Sequence, residues 1–355
     1  MCDNYSMERK IIKIGNVAIG GDAPVSVQSM TTTRTSDTKA TLKQISKLAE
    51  AGCEIIRLAV LNQDCANAIK EIKKKSPIPV VADIHFDYRL ALTCLENGVD
   101  GLRLNPGNIG GTEHVKAVAN LAKKTQTPIR IGVNGGSLEK EIEADSSLDI
   151  SEKMVKSALG HIKMLEECDF DLIKVSLKSS DVPSTVKAYR LISTQIPYPL
   201  HLGITEAGTL RGGMIKSAIG IGTLLSEGIG NTIRVSLTED PVEEVKVALE
   251  ILKALKLREK GVNFVSCPTC GRCQIDLINL AKEVEKRFTG LDAPITIATM
   301  GCAVNGPNEA KHADYGIAGG INEGYIFKKG EFVKKVSQKD LLDEFERVVF
   351  QDLNR

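Results

Sequence analysis

Four of the nine cysteines in this sequence lie in a pattern that can hold a metal centre. Cys267, Cys270 and Cys273 form a CxxCxxC run, and Cys302 follows at a distance. This spacing supports either a tetrahedral zinc site or an iron–sulfur cluster. A zinc ribbon usually has two CxxC pairs, whereas the second half here supplies only Cys302, so the pattern favours iron–sulfur. The structural alternative is a closed metal site that only holds a small domain together.

The segment after Cys302 could make such a centre catalytic. The glycine-rich sequence NGPNE places Asn305 and Glu309 close to a metal bound by Cys302. A carboxylate is a weaker and more exchangeable iron ligand than a thiolate, so an iron could exchange Glu309 for a substrate oxygen. The sequence therefore predicts a catalytic cluster.

A second group of polar residues lies inside or just after short apolar runs. The group comprises Gln28, Arg57, Asp83, His85, Arg103, Asn105, Arg130, Asn134, Lys174, Ser176, Lys178, His201, Thr205, Glu206, Arg234 and Ser236. Burying several unpaired cations is costly, and Asp83 and Glu206 cannot balance six of them. Because the planar arginine fork fits phosphate oxygens, we predict a phosphorylated small-molecule substrate.

Eight short β-branched runs supply the elements that would position these residues. The runs begin at Val25, Ile55, Val80, Gly101, Ile129, Leu172, Pro199 and Thr232. Segments of helical period separate them, so consecutive strands are expected to pair in parallel. Eight such units match the roughly 250-residue (β/α)8 TIM barrel better than an open doubly wound sheet. In a TIM barrel, active sites lie at the C-terminal ends of the strands, where these polar residues would converge.

The segments that flank the eight units predict a hairpin and a second domain. The sequence KIIKIGNVAIGG is typical of a β-hairpin that could plug the N-terminal mouth of the barrel. An amphipathic helix starting at Pro241 ends at Gly261, which indicates a domain boundary. We therefore predict a TIM-barrel substrate domain over residues 1–260 and a small α/β iron–sulfur domain over residues 261–355.

Composition excludes several classes of protein. Lys and Arg total 46 against 45 Asp and Glu, and aromatic residues make up 4% of the chain, which argues against a nucleic-acid-binding protein. No 18 uncharged apolar residues occur in a row and charges appear within the first ten residues, so we expect a cytoplasmic protein without a membrane anchor. The five scattered cysteines are expected to be buried apolar residues.

Several long motifs resemble one known enzyme family. In order, they are SVQSMT, ADIHFD, LRLNPGNIG, KVSLKSS, HLGITEAG, CPTCGR and MGCAVNGPNEA. From about residue 10 to residue 320 the chain resembles the bacterial 4-hydroxy-3-methylbut-2-enyl diphosphate synthase family of the non-mevalonate isoprenoid pathway, in its short two-domain form. The resemblance implies a TIM barrel followed by a 4Fe–4S domain. It also implies reductive ring opening of 2-C-methyl-D-erythritol 2,4-cyclodiphosphate, with loss of water, to the hydroxymethylbutenyl diphosphate.

The resemblance also implies roles for individual residues. The implied cluster ligands are Cys267, Cys270, Cys302 and Glu309. The implied substrate-binding residues are Arg57, His85, Arg103, Arg130, Asn134, Lys178, Thr205, Ser236 and Asn305. Glu206 and Glu309 are the expected catalytic residues, Glu206 as a proton donor or electrostatic steering group and Glu309 as the exchangeable ligand.

The family also implies partners. These are a ferredoxin or flavodoxin electron donor and a second copy of the chain, in a head-to-tail homodimer where each barrel is capped by the partner's cluster domain. Two positions depart from the family motifs: Cys273 adds a fourth thiol, and Asn308 replaces a glycine. The alternative function is a zinc-containing TIM-barrel aldolase or hydrolase that acts on a phosphorylated substrate, with structural cysteines.

Overall fold

The chain divides into two compact units. The computed structural model describes residues 7–259, 261–302 and 310–353. By their internal contacts the units are Met1–Arg258 and Glu259–Arg355. Among the described residues, no helix has the length and apolarity needed to cross a membrane.

The first unit begins with the predicted hairpin. Strands β1 (Ile12–Ile14) and β2 (Val17–Ile19) pair antiparallel around Gly15 and Asn16. Gly15 has a φ of 58°, in the left-handed region where a side chain would be strained. The isoleucines of the hairpin form a buried cluster with Ile55 and Val81, which belong to two barrel strands. This packing against the strands agrees with the predicted plug.

Eight parallel strands follow, one on each predicted run. They are β3 (Ser26–Met30), β4 (Ile55–Ala59), β5 (Val80–Asp83), β6 (Gly101–Arg103), β7 (Ile129–Asn134), β8 (Ile173–Lys178), β9 (His201–Leu202) and β10 (Thr232–Ile233). Neighbours follow the order β8-β7-β6-β5-β4-β3-β10-β9. A parallel bridge between Val175 and Leu200 joins β8 to the start of β9 and closes the ring. The TIM-barrel prediction is confirmed.

Helices lie between the strands and after the last one. They are α1 (Thr38–Glu50), α2 (Gln63–Lys75), α3 (Tyr88–Glu96), α4 (Thr112–Lys124), α5 (Lys140–Glu143), α6 (Ile150–Glu166), α7 (Val182–Ser193), α8 (Leu210–Ser226) and α9 (Pro241–Ala254). Several begin at an Asp or Asn whose side chain accepts a hydrogen bond from a first-turn backbone N–H, as Asp37 does for α1. Buried Val, Ile and Leu side chains of strands and helices form one continuous core.

The second unit is a five-stranded sheet with two helices. Its elements are β11 (Asn263–Ser266), α10 (Leu277–Phe288), β12 (Thr296–Met300), β13 (Tyr315–Gly320), β14 (Glu323–Lys328), β15 (Glu331–Ser337) and α11 (Leu341–Asp352). Strands β11 to β13 are parallel, and β13 to β15 are antiparallel. Phe288 of α10 packs edge-to-face on Phe345 of α11 with ring centres 5.6 Å apart. This core is separate from that of the barrel.

Candidate active site

The parallel register places charged residues opposite one another on four neighbouring strands of the barrel. In the strand register, Asp83 on β5 lies opposite Arg103 on β6, Arg103 opposite Arg130 on β7, and Arg130 opposite Lys174 on β8. All four are buried, although side chains of this kind are rarely buried without partners. The barrel interior is therefore polar where a TIM barrel usually has packed aliphatic layers.

Asp83 neutralises part of this charge. Arg103 Nη1 donates to Asp83 Oδ1 at 3.2 Å, and Arg57 Nε lies 3.6 Å from Oδ2. Burial alone would raise the pKa of Asp83, but Arg57, Arg103 and Arg130 together lower it, so the carboxylate is charged. Burial lowers the pKa of Arg57 to about 10 against the attraction of Asp83. His85 lies after β5, with its Nε2 3.8 Å from Asp83 Oδ2.

A second carboxylate, Glu244, neutralises Arg234. Glu244 comes from the first turn of α9, is buried, and lies 3.2 Å from Arg234 Nη2. It also accepts hydrogen bonds from Leu237 N at 2.9 Å and from Ser29 Oγ at 3.3 Å. Sequence reasoning missed Glu244, because a glutamate in a first helical turn is usually solvated. The available signal was the predicted helix just after the eighth strand, because Glu244 lies in its first turn.

Three cations are left without a carboxylate. Within the described part of the chain, Arg130, Lys174 and Lys178 form no ion pair. Arg130 Nη1 donates to Ser176 Oγ, whereas its Nε and Nη2 and the Nζ of Lys174 are buried without hydrogen bonds. Burial, together with the neighbouring arginines, lowers the pKa of both lysines well below 10.5. Keeping these groups charged in the buried interior costs free energy, and a bound anion would offset that cost.

His201 on β9 lies beside these cations. Both of its ring nitrogens are buried without hydrogen-bond partners among the described residues. Burial first, and then Arg130, Lys178 and Lys174, lower the pKa of His201 well below 6.5, so the ring is neutral. His201 therefore adds no positive charge to the barrel.

Two glycines make room for the cations. A Cβ on Gly132 would lie 2.6 Å from Arg103 Nε, and Arg103 Nη2 donates to Gly132 O at 3.0 Å. A Cβ on Gly203 would lie 2.9 Å from Lys178 Nζ. Real Cβ atoms do not approach other atoms this closely. Larger residues at these positions would displace the two side chains.

The remaining predicted substrate residues of the barrel lie at the C-terminal ends of its strands. Asn134 ends β7 opposite Lys178, Thr205 and Glu206 follow β9, and Ser236 follows β10. Glu206 is exposed and has a φ of 52°, in the left-handed region that non-glycine residues rarely adopt. Such backbone strain is concentrated at functional sites.

Lys174 gives a prediction about stability and pH. Replacing Lys174 with methionine removes a buried unpaired amine, so we expect the free energy of unfolding to rise by about 1–4 kcal/mol. Between the lowered pKa of the folded state and the ordinary value near 10.5, the unfolded chain binds more protons. The stability of the natural protein therefore rises with pH in this window, and the gain from methionine is larger at pH 6 than at pH 9. Urea denaturation at both pH values measures it, and a loss of stability at pH 6 would contradict the account.

The cysteines of the second unit lie at one edge of its sheet. Strands β11 and β12 run parallel with Ser266 paired to Thr299, so Cys267 and Cys302 both follow the C-terminal strand ends. Gly301 N–H donates to Cys267 Sγ at 3.1 Å. A Cβ on Gly301 would lie 2.7 Å from Cys273 Sγ, so only glycine leaves room for this thiol. Cys267 and Cys273 therefore lie next to Gly301 in space, and Cys302 follows it in the sequence.

Cys270 is the exposed member of the group. Hydrogen bonds from the backbone and side chain of Arg272 lower the pKa of the Cys270 thiol, which favours the thiolate that binds metals. No three His, Cys, Asp or Glu side chains converge on one point within residues 7–259, 261–302 and 310–353. The predicted residues Asn305 and Glu309 lie outside the described residues.

Comparison with known proteins assigns both units. Residues 9–249 match the GcpE TIM-barrel domain, and residues 263–351 match the GcpE protein C-terminal domain. The chain belongs to the GcpE family.

Several similar proteins share one name, 4-hydroxy-3-methylbut-2-en-1-yl diphosphate synthase (flavodoxin). The Geobacter sulfurreducens protein is 62% identical over 332 residues, which cover 94% of each chain. The Ruminiclostridium cellulolyticum protein is 58% identical over 337 residues, 95% of this chain and 96% of the relative. These matches span both units of this GcpE chain.

Solved structures outside the family share the fold. The N-acetylneuraminic acid synthetase of Leptospira borgpetersenii has a TM-score of 0.51 and 14% identity, and covers 80% of this chain and 98% of its own. A dihydropteroate synthase from Coxiella burnetii has a TM-score of 0.50 and 14% identity, covering 67% and 94%. At this identity the likeness concerns the fold alone.

Proposed function

We propose that this GcpE-family chain is an enzyme that opens the ring of 2-C-methyl-D-erythritol 2,4-cyclodiphosphate reductively, forming 4-hydroxy-3-methylbut-2-enyl diphosphate. The observation that carries the proposal is the 62% identity over 94% of both chains to a relative named for this product. The reaction consumes two electrons and two protons and releases one water. It is a step of the non-mevalonate isoprenoid pathway.

The barrel cations bind the diphosphate in this proposal. Arg130 and Lys178 have no carboxylate partner within the described residues, so phosphate oxygens can bind them without breaking an ion pair. Arg57 and Arg103 share Asp83, which holds their side chains in place for the same ligand. The other substrate contacts at the barrel mouth are His85, Asn134, Thr205 and Ser236, and Asn305 is a proposed contact from the second unit.

Glu206 is the proposed proton donor. It is exposed at the end of β9, where the reacting carbons of a barrel-bound substrate would lie. An exposed carboxyl can take a proton from solvent and pass it to the substrate. Its left-handed backbone conformation fixes the direction in which the side chain leaves the strand end.

The cysteines of the second unit have the chemistry that an iron–sulfur cluster requires. Thiolates are the ligands such clusters use, and Cys267, Cys270 and Cys302 lie on adjacent loops, with a backbone N–H already donating to one of the sulfurs. We assign these three and Glu309 as ligands of a 4Fe–4S cluster. When bound, the cluster supplies electrons to the substrate. A flavodoxin is the proposed electron donor to the cluster, as the name of the relatives suggests. The proposed location of the reaction is the cytoplasm.

Metal analysis tests the proposal against the zinc-containing aldolase or hydrolase. The full chain, purified without oxygen, is expected to be brown with about four irons and matching sulfide per chain. The control is the Cys273→Ser variant, which should keep the same iron content because Cys273 is not a proposed ligand. Colourless protein with one zinc per chain would instead favour the zinc enzyme.

The proposed assembly is a head-to-tail homodimer in which each barrel works with the cluster unit of the partner. This arrangement predicts that two impaired variants rescue each other. Lys178→Met impairs a barrel and Cys267→Ala disables a cluster unit, so a mixed dimer contains one site with both parts intact. We expect co-expression of the two variants to raise turnover well above that of either variant alone. Failure of rescue in a verified mixed dimer would contradict the assembly.

A further inference from the structure

The segment Cys270-Gly271-Arg272-Cys273 forms a turn with a cysteine at each end. Cys273 N–H donates to Cys270 O at 3.0 Å, and Gly271 and Arg272 occupy the turn. A β-turn keeps its first and last Cα atoms less than about 7 Å apart. Disulfides need a Cα separation of about 4.4–6.8 Å. The backbone of this turn is therefore compatible with a disulfide between its two ends.

The two thiols differ in accessibility. Cys270 is exposed, whereas Cys273 is half-buried, with its Sγ donating to Ile275 O at 3.2 Å. An exposed first cysteine can attack a disulfide that arrives from solvent, and a shielded second cysteine can then react within the same turn. Closing a disulfide requires Cys273 Sγ to give up this hydrogen bond, which is weak because a thiol is a poor donor.

We propose that Cys270 and Cys273 are a thiol–disulfide exchange site that closes when the chain lacks its cluster. The oxidant class is a low-molecular-weight disulfide such as oxidised glutathione. The Cys270 thiolate attacks one sulfur of the oxidant and releases one glutathione thiol, leaving a mixed disulfide. The Cys273 thiolate then attacks Cys270 Sγ and releases the second glutathione. The two cysteines are oxidised by two electrons, and one oxidised glutathione is reduced to two thiols.

The consequence for cluster loading rests on the proposed function, since Cys270 is there a ligand. A sulfur held in a disulfide cannot bind iron as a thiolate. The closed pair thus shields Cys270 from further oxidation and blocks loading until a thiol reductant reopens it. Cys273 takes this role without being a ligand.

Peptide mapping tests the exchange site directly. The full chain is freed of metal with a chelator, reduced, and equilibrated with mixtures of oxidised and reduced glutathione, and its remaining thiols are then alkylated. We expect the 270–273 peptide to lose two hydrogens and to carry no glutathione. In Cys273→Ser, glutathione should remain on Cys270. Half-buried Cys168 is the internal control and should stay a free thiol. Lasting glutathione on Cys270 of the natural protein, or a disulfide between Cys267 and Cys302 alone, would overturn the proposal.

Reconstitution separates this inference from the proposed function. Oxidised and reduced chains are incubated with a scaffold protein that carries a preformed 4Fe–4S cluster, without free sulfide or a thiol reductant, because both would reopen the disulfide. Because a disulfide sulfur is not a thiolate ligand, iron uptake by the oxidised chain should be at least about tenfold lower. Equal uptake by both chains would overturn the block on loading. If neither chain takes up iron, the cluster assignment fails, while the peptide map still decides whether the disulfide forms.

Discussion

Replacing Lys178 with methionine is expected to lower kcat/KM for the cyclodiphosphate by about a hundred- to a thousandfold, the effect of losing a buried charged contact of about 3–4 kcal/mol. Lys178 ends β8, is buried, and forms no ion pair within the described residues. The protein therefore loses no internal partner when the ammonium is removed. We expect the free energy of unfolding to stay the same or rise, so activity and stability change in opposite directions. Steady-state kinetics and urea denaturation of one preparation measure both.

Lys187 provides a matched control for this substitution. It lies on α7 of the same unit, is exposed, and pairs with Asp149 and Glu152. Lys187→Met should leave kcat/KM unchanged and have little effect on stability, because exposed ion pairs contribute little. If Lys178→Met kept the natural kcat/KM, or if it lowered stability as the loss of a paired lysine would, Lys178 would not be a diphosphate ligand.

Replacing Cys267 with alanine is expected to remove iron and activity together. Cys267 follows β11 and already accepts a hydrogen bond from Gly301 N–H. Mutating a residue that only supports a metal ligand typically lowers metal affinity or activity by roughly 10–100-fold. Losing the ligand itself should have a larger effect on iron binding and on turnover. Iron and sulfide analysis after anaerobic purification, followed by a turnover assay, checks both quantities.

The control for Cys267 is Cys94, a thiol of the barrel unit. Cys94 is buried in α3, and burial raises its pKa to about 12, so it is a neutral apolar group. Cys94→Ala should keep its iron while losing some stability, because it leaves a small cavity. If Cys267→Ala kept iron and sulfide, the ligand assignment would be wrong.

The barrel was predictable from the sequence because its signals are local. Each strand is a short β-branched run, and the helix after it often starts at a capping residue such as Asp37 or Asn62. Alternation along β7 and β8 then places Arg130 and Lys174 on the inner face from sequence alone.

The pairing of the charges was not predictable. The sequence places six cations inside or just after the strands, but it does not show that Asp83 pairs with Arg57 and Arg103. Nor does it show that Glu244 reaches Arg234 from α9. These contacts depend on barrel register and helix placement, which are long-range properties. Only the structure distinguishes the paired cations from Arg130, Lys174 and Lys178.

The second unit was predicted less completely. In the sequence, apolar runs at Val262 to Val265, Ile295 to Ala298 and Tyr325 to Phe327 indicate β11, β12 and β14, and helices are predicted around Ile275 to Phe288 and Lys339 to Phe350. Strands β13 and β15 were not, because YGIAGG is rich in glycine and EFVKKVS is mostly exposed. The close approach of Cys273 to Gly301 likewise depends on the packing of two loops.

The unpaired cations link the stability of the free barrel to the proposed binding of substrate. Buried groups without partners destabilise the free protein, and functional sites commonly carry such a cost. A bound diphosphate would satisfy Arg130 and Lys178 at once. In the proposed enzyme, the residues that lower the stability of the free barrel would also be those that bind the substrate.

The most direct test of the central claim is product identification. The full chain, purified without oxygen, is incubated with 2-C-methyl-D-erythritol 2,4-cyclodiphosphate and chemically reduced flavodoxin, and the phosphorus NMR spectrum and mass of the product are recorded. We predict that the two phosphorus signals of the ring are replaced by those of a linear diphosphate with the mass of 4-hydroxy-3-methylbut-2-enyl diphosphate. The conversion should require both the reductant and intact Cys267. An unchanged cyclodiphosphate with iron-loaded protein, or ring opening that proceeds without reductant, would contradict the account.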